Sequence, residues 1–449
     1  MRKTDNLGGT IMDMTRIAFY LEQSKDLFIH TSNTIWEYAE TRFEEHKSSK
    51  LQADVMKRLG FEVCFPSSSL PTAFRARYGT SGPVIGILGE YDALPGLSQK
   101  ADCPVQQPLI PQGSGHGCGH NLLGTAGMAA ALAVRHYIED TGICGSVVYY
   151  GCPGEENGAG KALMIEEHFF DEADIMLSWH PHYKSGLFNN SLANVRVTYT
   201  FHGKSAHASL APHLGRSALD ACELMNIGVN YLREHMIPDA RVHYAYLNTG
   251  GTAPNIIPAE AQVFYAIRAP RDRDTGELKD RVDNIAQGAA LMTGTQVTIK
   301  QNAVYRSFLP NSTLDQLLIK HLKASTPICY TEEEIRYARA FQLEGSLPHA
   351  KLSIDPYPDL TLDRKSGIST DAGNVSWEVP SGSFMVNCYA NGSPLHHWTV
   401  TAQGKASIAH KGMLTASRII SSAAAELLEN PELLQNARED FKKAKSTVL

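Results

Sequence analysis

At 449 residues the chain is long enough for two or three domains of about 150 residues each, and long enough to bury a sizeable core. Hydrophobic residues at 43% and charged residues at 20% place it with globular proteins and exclude a disordered or fibrous class. A net charge of -6, from 41 basic against 47 acidic residues, argues against nucleic acid or an anionic membrane surface as a partner.

The N-terminal stretch Met1 to Ile17 carries Asp5 and Asp13 and lacks the apolar run of about 7–15 residues that a secretory signal needs. Trp36 to Leu59 reads as a helix from apolar residues at Trp36, Tyr38, Ala39, Phe43, Ala53, Val55, Met56 and Leu59, with an imperfect pattern around Glu44 to Ser49. Val84 to Leu88, Ser146 to Cys152 and Asp174 to Trp179 are short apolar runs of the kind buried in a parallel sheet. Between the first two lies an Ala-rich helix, Leu122 to Ile138, entered through a Gly-rich turn. Its longest small-apolar run, Ala126 to Val134, is far short of the roughly 20 residues that span a bilayer. Strands alternating with helices predict an α/β fold, with a mostly parallel sheet flanked by helices.

From Leu192 to Val304 the rhythm changes. Alternating strands at Val195 to Phe201, Arg241 to Leu247, Ala261 to Ala269 and Gln296 to Lys300 are interleaved with helices at Ser217 to Met236 and Leu278 to Met292. That order, β-α-β-β-α-β, predicts a ferredoxin-like α+β domain over 191–304, inserted in a larger domain made of 1–190 and 305–449. The larger domain resumes with a helix at Leu314 to Ser325, an irregular Pro-containing region from Leu347 to Gly373, a strand at Ser383 to Tyr389 and a helix at Lys411 to Glu429.

Four groups of metal-type side chains fall at predicted strand ends or at a helix entry. Gly115-His116-Gly117-Cys118-Gly119-His120-Asn121 precedes the Ala-rich helix. There Cys118 and His120 can aim at one point, and the helix N-terminus favours a thiolate. A plain glycine loop and a Cys-His nucleophilic pair are the competing readings of this motif. Glu155 and Glu156 follow a strand, where one carboxylate can bind a metal while its neighbour faces a substrate water. His180 and His182 follow another strand, and His396 and His397 follow a third; a lone histidine in such a loop is more often structural. Asp92 completes the edge as a carboxylate that orients a ligand. A Cys/His/Glu/His/His set exceeds one tetrahedral ion, so two divalent ions with shared ligands, and amide hydrolysis with the free glutamate carrying the proton, are expected.

The motifs GEYDALPGLSQ, GHGCGHNLLGTAG, GCPGEENGAGK, SWHPH, GKSAHAS, LGRSALDA, APNIIP, STDAGNVSW and SPLHHW, in this order, resemble the metal-dependent aminoacylase and carboxypeptidase superfamily. Within it the chain is similar to the branch of auxin-conjugate and p-aminobenzoyl-glutamate hydrolases, from about Glu40 to Met413. The resemblance implies that Cys118, His120, Glu156, His180 and His396 bind two ions, Mn or Zn, and that Glu155 is the general base. It favours His396 over His397, because the family ligand directly follows the Pro-Leu pair. The inserted domain is implied to be a lid and dimerisation domain, with His207 stabilising an oxyanion in a partner subunit's site and Asn255 and Arg268 holding a substrate carboxylate. Without the resemblance, Arg268 reads as an ordinary surface residue of a strand. The implied substrate is an N-acyl or N-aroyl amino acid, with a dipeptidase or general aminoacylase as the alternative; a non-catalytic binding protein that kept the fold is a third reading, against which the intact Glu155-Glu156 pair and five ligand-type residues argue. The implied assembly is a homodimer, or a pairing with a second, homologous chain. In the wider superfamily a metal-binding His stands two residues before the equivalent of Asp92, where this chain has Glu90. Many close relatives have Asp where Asn121 stands. Eight cysteines without CxxC spacing point to a reducing, cytoplasmic compartment.

Overall fold

A computed structural model describes residues 7–345, 352–360 and 367–448. Residues 1–6 of the N-terminal stretch, and 346–351 and 361–366 of the irregular region expected from Leu347 to Gly373, lie outside the described residues. The chain divides into two compact units. The larger is Met1–Asn190, Leu309–Lys365 and Val375–Leu449, and the smaller is Ser191–Phe308 with Ser366–Asn374. Residues 305–308 and the short return segment thus pack with the smaller unit and not, as expected, with the larger.

In chain order the strands are β1 (Glu62–Cys64), β2 (Phe74–Tyr78), β3 (Val84–Glu90), β4 (Ser146–Cys152), β5 (Ile175–His182), β6 (Ser185–Leu187), β7 (Ala193–His202), β8 (Arg241–Asn248), β9 (Glu260–Ala269), β10 (Gln296–Tyr305), β11 (Pro358–Asp359) and β12 (Ser381–Asn387). The larger unit holds an eight-stranded sheet in the order β1-β2-β4-β3-β5-β12-β6-β11. Its centre, β4-β3-β5-β12, is parallel throughout, so four strands deliver their carboxyl ends to one edge. Every residue of β3, β4 and β12 is buried, as expected where helices cover both faces.

The helix His120–Thr141 supplies Leu122, Ala126, Ala129, Ala130 and Ala133 to the main core. Helix Ser407–Glu429 adds Met413, Ile419, Ile420 and Leu427 to the same core. Each fully buried Leu or Ile contributes on the order of 1.5–3 kcal/mol.

The helix expected over Trp36 to Leu59 is two helices. Leu7–Tyr38 ends at Ala39, His46–Arg58 follows, and Ala39 and Phe43 between them take positive φ of 43° and 62°. Neither is glycine, so the one signal of the turn in the sequence is the imperfect apolar pattern around Glu44 to Ser49, where the second helix starts. β5 also runs further than its apolar run suggests. Pairing with β12 continues through Met385↔His180 and Asn387↔His182, so both histidines lie in the last residues of the strand.

The smaller unit is a four-stranded antiparallel sheet in the order β10-β7-β9-β8, the strand order of the ferredoxin-like pattern. One face packs Val195, Val197, Tyr199, Val263, Tyr265 and Ile267 against Met225, Val229, Val282 and Ala286 of helices Ala218–Leu232 and Asp272–Thr293. Strand alternation puts Asn194, Arg196 and Arg268 on the other face.

Candidate metal centre and active site

The carboxyl edge of the parallel sheet gathers the site. β3 ends at Glu90 and leads to Asp92, β4 leads through Gly154 to Glu155 and Glu156, β5 carries His180, and His396 lies beyond β12. Cys118 and His120 enter from the turn before helix His120–Thr141. Gly119 has φ of +81°, and a side chain there would collide with the Tyr389 hydroxyl, so the turn requires glycine.

Three sets of ligand-type atoms lie within 4.8 Å of one another. They are Cys118, His120 and His180; Cys118, Glu156 and His396; and Glu90, His120 and Glu155. Cys118 belongs to both of the first two sets. Its Sγ is 3.4 Å from His180 Nε2, and the Glu156 Oε1 is 3.1 Å from His396 Nε2. The His120 Nε2 and the Glu156 Oε1 are buried without a well-aligned hydrogen bond, their near neighbours being Glu90 Oε2 at 3.2 Å and His396 Nε2 at 3.1 Å, and each is the atom a metal ligand would offer. The donor set of thiolate, imidazole and carboxylate therefore fits a divalent metal centre.

Electrostatics favour the metal-binding form of two candidate ligands, Cys118 and Glu156. Burial and the Glu156 carboxylate oppose ionisation of Cys118, yet the adjacent His180 and His120 hold its thiol down at about 6. Burial also opposes ionisation of Glu156, and His396 overcomes it, leaving that carboxyl below its usual range. Asp92, 1% exposed, accepts His120 Nδ1–H at 2.8 Å and the Glu156 backbone N–H at 2.8 Å. One carboxylate thus sets both the ring of a candidate ligand and the start of the helical turn Glu155–Gly158.

His396 is a non-glycine residue in the left-handed region, with φ of +61°, and its N–H is tied to Gly117 O at 2.8 Å. A strained backbone held in this way is a mark of functional positions. His397 instead caps the helix Trp398–Gln403, its Nδ1 accepting the Thr399 N–H. His182 turns to the Lys184 N–H at 3.2 Å, and buried His116 bonds Ile35 O at 3.0 Å.

Two features assign roles that the sequence leaves open. Lys161 and Glu90, 0% and 6% exposed, form an ion pair at 2.6 Å, and the second Glu90 oxygen lies 3.2 Å from His120 Nε2. Burial resists ionisation of Glu90, but Lys161 and His120 keep it a carboxylate. Lys161 closes the motif GCPGEENGAGK, but local sequence does not tell that its ammonium is buried against Glu90. Second, the break at 39–45 lays Phe43 against Gly154 and Gly158 and lets buried Glu45 accept the Gly154 N–H at 2.8 Å. The segment read as mid-helix thereby grips the loop that carries Glu155.

His207, Asn255 and Arg268 belong to the smaller unit. His207 is exposed, its Nδ1 accepts from Ser209 and Leu210 N–H at 3.3 and 3.2 Å, and Ala208 N–H bonds Asn255 O at 2.9 Å. Arg268 is half-buried with its Nε unpaired.

This chain belongs to the M20 family of metal-dependent peptidases and amidohydrolases. Residues 189–291 match the peptidase dimerisation domain. The chain is 41% identical over 453 residues to one of the p-aminobenzoyl-glutamate hydrolase chains of Escherichia coli K12, covering 95% of this chain and 94% of that one. It is 31% identical to the mouse Xaa-Arg dipeptidase, over 95% of this chain and 91% of the relative. In fold it resembles a dinuclear metal-binding peptidase of the M20 family from Bacillus subtilis, with a TM-score of 0.59 and 17% identity over 91% of this chain and 99% of that one. Among the described residues no helix is long and apolar enough to cross a membrane, and none of the eight cysteines is in a disulfide.

Proposed function

We propose that this chain hydrolyses the amide bond of an N-acyl or N-aroyl amino acid of the p-aminobenzoyl-glutamate type, using two divalent ions per protomer, Mn or Zn. The observation that carries this reading is Cys118 shared between the His120/His180 and Glu156/His396 sets, with Glu155 beside Glu156 and in reach of His120. Cys118, His120, Glu156, His180 and His396 hold the ions, while Asp92 orients His120. Bound ions supply polarisation of the scissile carbonyl and acidification of a water. Glu155 takes the proton from the attacking water and delivers it to the leaving nitrogen, which converts a poor amide leaving group into an amine.

His207 donates its Nε2–H to the developing oxyanion, since its Nδ1 already accepts backbone N–H groups. Asn255 and Arg268 hold the carboxylate of the leaving amino acid. The smaller unit serves as a lid and as a homodimer contact. Exposed Leu210, Tyr231 and Leu291, at 80%, 74% and 84%, are apolar surface that such a contact would cover. A second, homologous chain is a further partner for the same surface. Eight cysteines outside any disulfide suit a cytoplasmic location.

A dipeptidase is the second reading, favoured by the 31% identity to a protein named for that activity. A substrate panel on protein reconstituted separately with Mn and Zn distinguishes the two. Turnover of p-aminobenzoyl-glutamate above dipeptides and acetyl-amino acids supports the first, and preference for dipeptides supports the second. Mixing His207→Ala with Glu155→Gln protein tests the lid role, with restored activity in heterodimers expected if His207 acts across protomers.

A further inference from the structure

The face of the smaller sheet opposite its helices carries unmatched positive charge. Asn194 on β7 stands directly opposite Arg268 on β9 and Tyr305 on β10, and Arg196 follows two residues along β7 on the same face. Among the described residues neither arginine makes an ion pair, and the Nε of each is buried without a hydrogen-bond partner. Asn194 is 0% exposed, yet both its amide nitrogen and its amide oxygen lack partners.

Such groups are costly to leave unmet, because burial strips their water and nothing in the protein replaces it. The two guanidiniums also repel each other. Burial and the charge of Arg196 lower the basicity of Arg268. Arg196 lies over the Tyr305 ring at 5.4 Å, which keeps its planar fork in place. Arg241, opposite Arg268 on β8, is occupied otherwise, donating to Pro238 O and Ala240 O. Both remaining arginines are half-buried, not sealed from solvent.

We infer that Arg196, with Asn194, forms a second carboxylate subsite beside Arg268 and makes the enzyme selective for conjugates of acidic, dicarboxylic amino acids. This rests on the reading above in which Arg268 holds one substrate carboxylate. Two adjacent cations without counter-charge favour a dianionic leaving group and disfavour a third cation, so a substrate ending in arginine or lysine meets repulsion where one ending in glutamate meets two forks. Asn194 supplies an amide that can donate to the second carboxylate.

The test is equilibrium binding of N-acetyl-L-glutamate, N-acetyl-L-alanine and N-acetyl-L-arginine to metal-reconstituted full-length protein, as wild type, Arg196→Gln and Arg196→Lys. The wild type is expected to prefer N-acetyl-glutamate over the other two. Arg196→Gln is expected to lower the glutamate-to-alanine affinity ratio about tenfold or more, and Arg196→Lys to restore part of it. Thermal unfolding of each variant checks that the fold is kept; if Arg196→Gln unfolds, Asn194→Asp replaces it, and the added negative charge is expected to lower the same ratio.

An unchanged ratio in a folded variant, or wild-type affinity for N-acetyl-arginine equal to that for N-acetyl-glutamate, overturns the inference. The hydrolase reading fails separately. Arg196-dependent glutamate binding without turnover of any amide would sink that reading and leave this one standing, and turnover with no effect of Arg196 would do the reverse.

Discussion

Lys161 Nζ donates to Glu90 Oε1 at 2.6 Å, and the other oxygen of the same carboxylate lies 3.2 Å from the Nε2 of His120. A buried lysine thus sits behind the candidate metal centre and offsets a carboxylate that faces it. Removing one partner of such a pair leaves an uncompensated buried charge. Lys161→Met is expected to destabilise the protein by about 3–5 kcal/mol, and the double variant Glu90→Gln/Lys161→Met to recover most of that loss. Chemical denaturation of the two single variants and the double variant measures it. Equal losses in Lys161→Met and the double variant would mean the pair does not act as one.

Asp92 links a candidate ligand to the loop of the candidate base, through His120 Nδ1 and the Glu156 N–H, both at 2.8 Å. Asp92→Asn keeps the shape but removes the charge that fixes the imidazole tautomer. Affinity for Mn or Zn is expected to fall about 10–100-fold. Metal titration by calorimetry checks this, and wild-type affinity in the variant would remove Asp92 from its role.

Glu45 offers a pH signature. Burial, and then the charge of Asp92, push its carboxyl up from the ordinary 4.5 to about 8. Below pH 4.5 both folded and unfolded states hold the proton; as pH rises towards 8 the unfolded state loses it first, so stability falls over that window. Gln can accept the Gly154 N–H without ionising. The expected outcome is that Glu45→Gln gains stability relative to wild type as pH rises from 4.5 to 8, seen in denaturant midpoints across that range. Parallel pH profiles for the two proteins would contradict this.

The parallel core and the edge where the ligands meet were legible because buried strands write continuous apolar runs, and β3, β4 and β12 are buried along their whole length. Cys118, His120 and the Glu155-Glu156 pair were legible because they directly follow such runs or open a Gly-rich helix entry. The turn at 39–45 left only an imperfect apolar pattern from Glu44 onward, since Ala39 and Phe43 take positive φ without glycine, and the role of Glu45 was hidden with it. The burial of Lys161 and Asn194 was not legible, because burial of a polar side chain depends on neighbours distant in sequence. Neighbouring His396 and His397 carry the same donor chemistry, and local backbone separates them, one in the left-handed region and one at a helix cap.

The central claim is that Glu155 moves the proton in a metal-dependent amide hydrolysis. Its most direct test is the turnover of p-aminobenzoyl-glutamate by wild type and Glu155→Gln, each reconstituted with Mn or Zn and each with its bound ions counted. A fall in kcat of about 10²–10⁴-fold at unchanged ion content and unchanged Tm is predicted. Wild-type turnover by Glu155→Gln, or full activity of the metal-stripped wild type, would contradict the claim.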